Sequence, residues 1–125
     1  MDSFCLFCQP GNHVLVAEGK TVYAIKDANP VSDNHLLIIP FRHCKDYFEL
    51  TPEEHREIQE FIHSLAQGIR ARDPLVTGFN IGVNCGASAG QTIFHTHIHL
   101  IPRKDNDTPR PRGGVRGVIP DRMNY

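Results

Sequence analysis

Residues 89–103 read AGQTIFHTHIHLIPR, and this stretch decides how the rest of the chain is interpreted. Within it, His95, His97 and His99 alternate with apolar or small residues. Side chains at i, i+2 and i+4 of a β-strand share one face at a spacing of roughly 7 Å, so the pattern predicts a strand over residues 94–101 with three imidazoles on one side. One interpretation is a polar, solvent-facing strand in which histidine has no special role. We favour imidazole chemistry (metal ligation, nucleophilic attack or proton transfer near neutral pH), because Ser, Thr or Lys would serve a solvated strand equally well.

The loop that precedes these histidines, residues 84–92, consists mainly of small side chains and ends in Gln91 and Thr92. Backbone N–H groups in such a loop can approach an anion closely, and the side chains of Gln91 and Thr92 add hydrogen-bonding groups. A loop rich in Gly and Ala is more often merely a tight turn. Its place directly before three alternating histidines predicts a phosphate site beside a nucleophile.

One helix is predicted from its own end signals. Thr51 is a good N-cap, Pro52 suits the first helical position and Glu54 completes a capping box. Apolar residues then recur at helical spacing until the Asp73-Pro74 pair ends the helix. Strands are predicted at residues 14–17, 21–25, 36–39, 78–83 and 94–101. Strands that outnumber helices, with mostly short connections, predict an α+β domain with a largely antiparallel sheet.

Length and composition limit the class of protein. The 125 residues fit one domain, and 40% hydrophobic with 22% charged residues argues against disorder. The net charge of −1 is too small for wholesale electrostatic binding of nucleic acid. The longest apolar run, about five residues, is too short to cross a bilayer, and the opening residues 1–3 lack the features of a signal peptide. We expect a cytoplasmic protein that binds neither nucleic acid nor membrane.

The stretch at residues 89–103 closely resembles the signature of the histidine triad (HIT) family. The resemblance extends upstream to Asp27, His35, the apolar run that follows it and Pro40, and it covers roughly residues 4–104. Two positions depart from the family pattern. Thr96 stands where an apolar residue is usual, and Asp33-Asn34 replaces a Pro-Gly turn. We expect the turn to survive because Asn adopts the left-handed conformation more readily than most residues, and we expect Thr96 to face away from the site.

The resemblance implies a HIT-like fold. Its expected parts are a mainly antiparallel sheet of about five strands, one long helix and a short second helix. It further implies a homodimer with a sheet that continues across the interface. The HIT domain would span residues 1–104, and residues 105–125 would form a basic extension of the same domain.

The resemblance also implies a nucleotide substrate and a nucleotidyl-histidine intermediate. By position, His97 resembles the nucleophile and His99 the residue that contacts the phosphate or the leaving oxygen. Asp27 matches the residue that binds the ribose hydroxyls, and His35 a supporting residue behind the triad. The phosphate-binding positions match Asn84, Gly90, Gln91 and Thr92.

Cys5 and Cys8 form a C-x-x-C pair with the spacing of zinc ligands. Because no second such pair follows, two further ligands would have to come from distant parts of the chain; the alternative is a reduced, unliganded pair. The family resemblance implies that His43 and His95 complete a structural zinc site. His95 would then be structural rather than catalytic.

The chain after residue 100 carries six basic and three acidic side chains. It could be a flexible, solubilising terminus, or Arg112 or Arg116 could fold back and bind distal phosphates. The activity predicted from these features is hydrolysis of a dinucleoside polyphosphate at its α-phosphate. The alternatives are a nucleoside phosphoramidase or nucleotidyl transferase of the same family, a hydrolase that uses zinc-activated water held by the three histidines, and a non-enzymatic nucleotide-binding module.

Overall fold

Five short segments rich in apolar and β-branched residues form one sheet. The structure is a computed structural model that describes residues 5–125; the expectation about a signal peptide rests on residues 1–3 and lies outside them. The strands are β1 (Leu15–Glu18), β2 (Val22–Lys26), β3 (Leu36–Pro40), β4 (Val76–Gly82) and β5 (Ile98–Lys104). Their spatial order is β1-β2-β3-β5-β4, and every neighbouring pair is antiparallel. The predicted α+β class and antiparallel sheet are confirmed.

The predicted helix is confirmed with its end signals. Helix α1 spans Pro52–Arg72, with Thr51 as N-cap and both hydrogen bonds of the Thr51–Glu54 capping box formed. The buried face of α1 includes Ile58 and Ile69, which pack in the two main core clusters between helix and sheet. Burying a side chain of this size contributes about 1.5–3 kcal/mol. Among residues 5–125 the other helical segments are 3-10 turns of three to five residues, so the predicted short second helix is not present as an α-helix.

Strand β5 begins four residues later than predicted, at Ile98 rather than residue 94. The register pairs Leu36 with Leu100 and Ile38 with Ile98, so continuing it would set Pro40 opposite Thr96. Proline has no N–H for the ladder. Thr96 instead bonds to the carbonyl of Cys44 through both its backbone N–H (2.9 Å) and its hydroxyl (3.1 Å).

Both departures from the family pattern behave as expected. Asn34 has φ +67°, so it supplies the left-handed turn conformation. Thr96 is buried with its hydroxyl against Cys44. After β5, the chain returns over the sheet, where the 3-10 segment Gly114–Val118 packs against β4. No helix among residues 5–125 combines the length and the apolar character that a bilayer crossing requires.

Candidate active site and metal centre

The His97 ring is half-buried and is oriented by the backbone of its own segment. Its Nδ1 lies 2.9 Å from the carbonyl oxygen of His95. Because a carbonyl oxygen only accepts hydrogen bonds, Nδ1 carries a proton, and in the neutral ring the lone pair is then on Nε2. Phe7 packs against one side of the ring at 4.9 Å between centroids, and His99 lies 5.6 Å away. In its neutral form, His97 therefore presents the lone pair at Nε2.

His99 belongs to a second cluster with His35 and Asp27. His35 Nε2 lies 2.9 Å from His99 Nδ1 and 3.3 Å from Asp27 Oδ2. Burial lowers the pKa of both histidines, and the Asp27 carboxylate opposes that effect. The other oxygen of Asp27 accepts the backbone N–H of Asn29, at 2.8 Å. The sequence-predicted residues Asp27, His35 and His99 are thus brought together.

The loop at residues 84–92 is shaped by glycine and by one buried amide. Gly86 and Gly90 have φ of +93° and +98°, a region that disfavours side chains with a Cβ. The Gln91 side chain is buried; its oxygen accepts the N–H of Gly86 (2.8 Å) and its nitrogen donates to the carbonyls of Lys45 (2.7 Å) and Ile93 (3.1 Å). Both amide hydrogens of Gln91 are therefore used to hold the loop. This differs from the predicted direct contact of Gln91 with phosphate.

A cleft of about 890 Å³ borders this loop and the His35–His99 pair. Among the predicted site residues, His35, Asn84 and His99 line it, whereas Asp27 and His97 do not. A Cβ on Gly90 would lie 3.7 Å from Asn84 Nδ2. Thr92 is exposed at the end of the loop.

The C-terminal extension closes one side of this cleft, and Arg110 is part of that wall. The predicted phosphate ligands of the extension lie elsewhere. The guanidinium groups of Arg112 and Arg116 stand 4.4 Å and 4.9 Å from the centre of the Tyr125 ring. Arg116 also bonds to the carbonyls of Arg122 and Met123.

Cys5, Cys8, His43 and His95 converge as the zinc hypothesis predicts. Their ligand atoms all lie within 4.8 Å of one another. The distance from Cys8 Sγ to His43 Nδ1 is 3.2 Å, and both sulfurs lie 3.5 Å from His95 Nδ1. Tetrahedral zinc, with bonds of about 2.3 Å to sulfur and about 2.0 Å to nitrogen, separates such atoms by about 3.5 Å. The donor set and spacing fit a zinc ion.

The hydrogen bond on the far side of His95 supports the same conclusion. His95 Nε2 lies 2.8 Å from the carbonyl oxygen of Pro40 and must donate to it. Burial lowers the pKa of His95, and in the neutral ring Nδ1, which faces the two sulfurs, is unprotonated and able to bind a metal. His95 is fully buried, unlike His97 and His99. The residues of the triad are therefore not equivalent.

The three alternating histidines do not form a common metal site. Among residues 5–125, His95 clusters with the cysteines and His99 with Asp27 and His35, while His97 belongs to neither group. The alternative in which all three hold a catalytic zinc is therefore not supported by the geometry.

Sequence reasoning missed several groups that shape the site. Phe7 is buried and contacts both His95 and His97, but an apolar residue inside a C-x-x-C pair gives no signal of this. The N–H of Val31 and the carbonyls of Pro40 and His95 are backbone groups. Their roles depend on the fold rather than on residue type, so no sequence signal could have found them.

Comparison with known proteins agrees with this geometry. The HIT domain family model matches residues 11–106. The chain belongs to the HIT family. A crystal structure of a HIT family protein from Bacillus anthracis superposes with a TM-score of 0.78 at 37% identity, covering 86% of this chain and 78% of that one.

Two other HIT proteins bear on the site. An AP-4-A phosphorylase of Mycobacterium tuberculosis is 35% identical over 95 residues, which are 75% of this chain and 48% of the relative. The chain thus spans about half the length of that relative. A zinc-bound histidine triad family protein from Mycobacterium smegmatis superposes with a TM-score of 0.77 at 29% identity, covering 85% of this chain and 79% of that one.

Proposed function

We propose that this HIT protein is a nucleotidyl hydrolase or transferase in which Nε2 of His97 attacks the α-phosphorus of a nucleotide. One observation carries the proposal: the bond from His97 Nδ1 to the His95 carbonyl selects the tautomer that has its lone pair on Nε2. A neutral imidazole nitrogen fixed in this way is a good nucleophile at neutral pH. The clustering of His99 with His35 and Asp27 beside it supports the same reading.

The reaction needs no proton transfer in its first step. Nε2 forms a bond to phosphorus while the bond from phosphorus to the bridging oxygen breaks, and the leaving phosphate departs as an anion. The His97 proton stays on Nδ1, so the His95 carbonyl stabilises the positive charge that the ring acquires. In the second step water attacks phosphorus, the P–N electron pair returns to Nε2, and the released proton passes to solvent.

We assign binding roles from the same geometry. Asp27 would bind the ribose hydroxyls, while Asn84, Gly90 and Thr92 would contact phosphate and Gln91 would hold their loop. The substrate we propose is a dinucleoside polyphosphate, a class supported by the name of the AP-4-A phosphorylase relative. The cleft of about 890 Å³ is lined by His99 and by residues of the C-terminal extension, and its volume would accommodate a leaving group longer than one phosphate.

Zinc is the metal we propose for Cys5, Cys8, His43 and His95. Bound there, it would supply a structural link from the N-terminal segment to the triad.

We also propose the homodimer that the sequence predicts. Strand β4 lies at an edge of the sheet, where a second copy could continue the sheet.

Rapid-quench mass spectrometry of the intact protein tests the nucleophile. Native protein and His97→Ala are mixed with diadenosine tetraphosphate and quenched in the millisecond range, in parallel with adenosine phosphoramidate. We expect a transient adduct of one AMP on the native protein and none on the variant. The control is His63→Ala, which removes an exposed histidine of helix α1.

The outcomes separate the alternatives. An adduct that persists in His97→Ala would refute His97 as nucleophile. An adduct that forms only with adenosine phosphoramidate would show that the substrate contains a P–N bond rather than a phosphoanhydride. Binding of both compounds without adduct or turnover would leave a nucleotide-binding module.

A metal assay tests the zinc site separately. We expect about one zinc per chain in native protein and Cys85→Ser, and much less in Cys8→Ser. Equal zinc in all three would refute the assignment.

A further inference from the structure

The cluster of Asp27, His35 and His99 has the composition of a metal site. Its ligand atoms lie 2.9, 3.3 and 3.9 Å apart. Tetrahedral zinc, with bonds of about 2.0–2.1 Å to nitrogen and oxygen, separates its ligands by about 3.3 Å. Distances alone therefore do not distinguish a metal site from a hydrogen-bonded cluster.

A hydrogen bond from the backbone N–H of Val31 distinguishes a metal site from a hydrogen-bonded cluster. Its N–H donates to His35 Nδ1 at 3.1 Å, so that nitrogen carries a lone pair and not a proton. In a neutral His35 the proton must then be on Nε2, the atom that faces Asp27 and His99. A protonated Nε2 cannot bind a metal.

The same argument determines which nitrogen of His99 carries the proton. His35 Nε2 donates its proton to His99 Nδ1, 2.9 Å away, which makes that nitrogen an acceptor. The remaining nitrogen of His99, Nε2, must carry the proton. This is the opposite tautomer to the one that His97 adopts.

We propose that the Val31 amide and His35 are positioning groups that hold His99 as the neutral Nε2–H tautomer. His99 then offers an uncharged hydrogen-bond donor to the phosphoryl group that His97 attacks. This use of the donor rests on the proposed function, whereas the tautomer itself does not.

The groups that face His99 act against its protonation. A proton on Nδ1 would face the N–H of His35, and only Asp27 Oδ2, 3.9 Å away, could accept it. Burial, His97 and His35 all lower the pKa of His99, while Asp27 raises it. His99 therefore stabilises the transition state as a preorganised dipole rather than as a charge.

Nitrogen-15 NMR reads the tautomers directly in the full-length protein labelled at histidine nitrogens. At pH 7 we expect Nε2–H for His35 and His99, and Nδ1–H for His97. A His35 with its proton on Nδ1, or a charged His99, would overturn the proposal. Because this readout needs no turnover, loss of the proposed function and loss of the tautomer arrangement are distinguishable.

Two variants at residue 35 separate donation from packing. His35→Leu removes the donor, and we expect His99 to populate both tautomers and kcat to fall about tenfold or more, with little change in KM. His35→Gln carries an amide N–H, and we expect it to recover part of that loss and the single tautomer. Equal behaviour of the two variants in both readouts would overturn the role of the donor.

A zinc titration tests the competing interpretation. Once the cysteine cluster is saturated, further Zn²⁺ should leave the nitrogen signals of His35 and His99 unchanged. Stoichiometric shifts at both residues would identify a second metal site and refute the proposal.

Discussion

Truncating Phe7 to alanine removes the ring that packs against His97, the proposed nucleophile. Phe7 is 4% exposed and lies 4.9 Å from the His97 ring, while its carbonyl accepts the hydroxyl of Tyr23. Phe→Ala at a buried site costs about 3–5 kcal/mol. Because this short 3-10 segment can relax into the space, we expect the lower end, about 3 kcal/mol of unfolding free energy.

The same truncation should reduce catalysis. One side of the His97 ring loses its contact, so the attack geometry becomes less well defined. A misplacement of about 1 Å can cost a hundredfold in rate, and we expect kcat to fall between about tenfold and a hundredfold. Urea unfolding measures the first effect, and single-turnover cleavage of diadenosine tetraphosphate measures the second.

The neighbouring residue provides the control. Leu6 is 38% exposed, so Leu6→Ala should cost less than about 1 kcal/mol and leave kcat near that of the native protein. If Phe7→Ala matches Leu6→Ala in both assays, the packing assigned to Phe7 does not support the site.

Three further predictions concern the scaffold and the cleft. Glu57→Ala should destabilise the protein by about 3 kcal/mol in urea unfolding, because the Glu57 carboxylate accepts four hydrogen bonds from the turn between β1 and β2. The control is Glu60→Ala, on the exposed surface of α1, which should change the free energy of unfolding little. Burial alone would raise the pKa of Glu54 and Glu57, but the hydrogen bonds that each carboxylate accepts outweigh burial and lower both pKa values. The two carboxylates therefore stabilise the fold fully above the ordinary pKa of 4.5, and this stabilisation is lost as the pH falls through the lowered folded pKa. Urea midpoints that do not fall below pH 4.5 would contradict this. Arg110→Ala should raise KM for the tetraphosphate several-fold, whereas Arg112→Ala should not; the reverse order would restore Arg112 as the phosphate ligand.

Helix α1 could be predicted because its signals are local. Thr51, Pro52 and Glu54 define its start within four residues, and Asp73 lies directly after its last turn. The start of β5 could not be predicted, because it depends on where β3 ends. Pro40 interrupts that ladder from 58 residues away in sequence, counted to Ile98.

The candidate site likewise has features that the sequence could predict and features that it could not. Residue types at His97, His99 and Asp27 could be read from the sequence, and the structure places His99 next to each of the other two. Which nitrogen of each histidine ring carries the proton could not be predicted, because this depends on the backbone groups that the fold places beside each nitrogen. Gln91 illustrates the limit: its side chain suits phosphate binding, but the carbonyls of Lys45 and Ile93 take its hydrogens.

His95 contributes to the molecule through two chemically independent parts. Its imidazole faces the cysteine pair, whereas its carbonyl, which every amino acid possesses, orients the ring of His97. Replacement of the His95 side chain would therefore remove a ligand of the proposed metal site without removing the carbonyl to which His97 Nδ1 donates. A mutation can thus remove the proposed metal site and leave the orientation of the His97 ring intact.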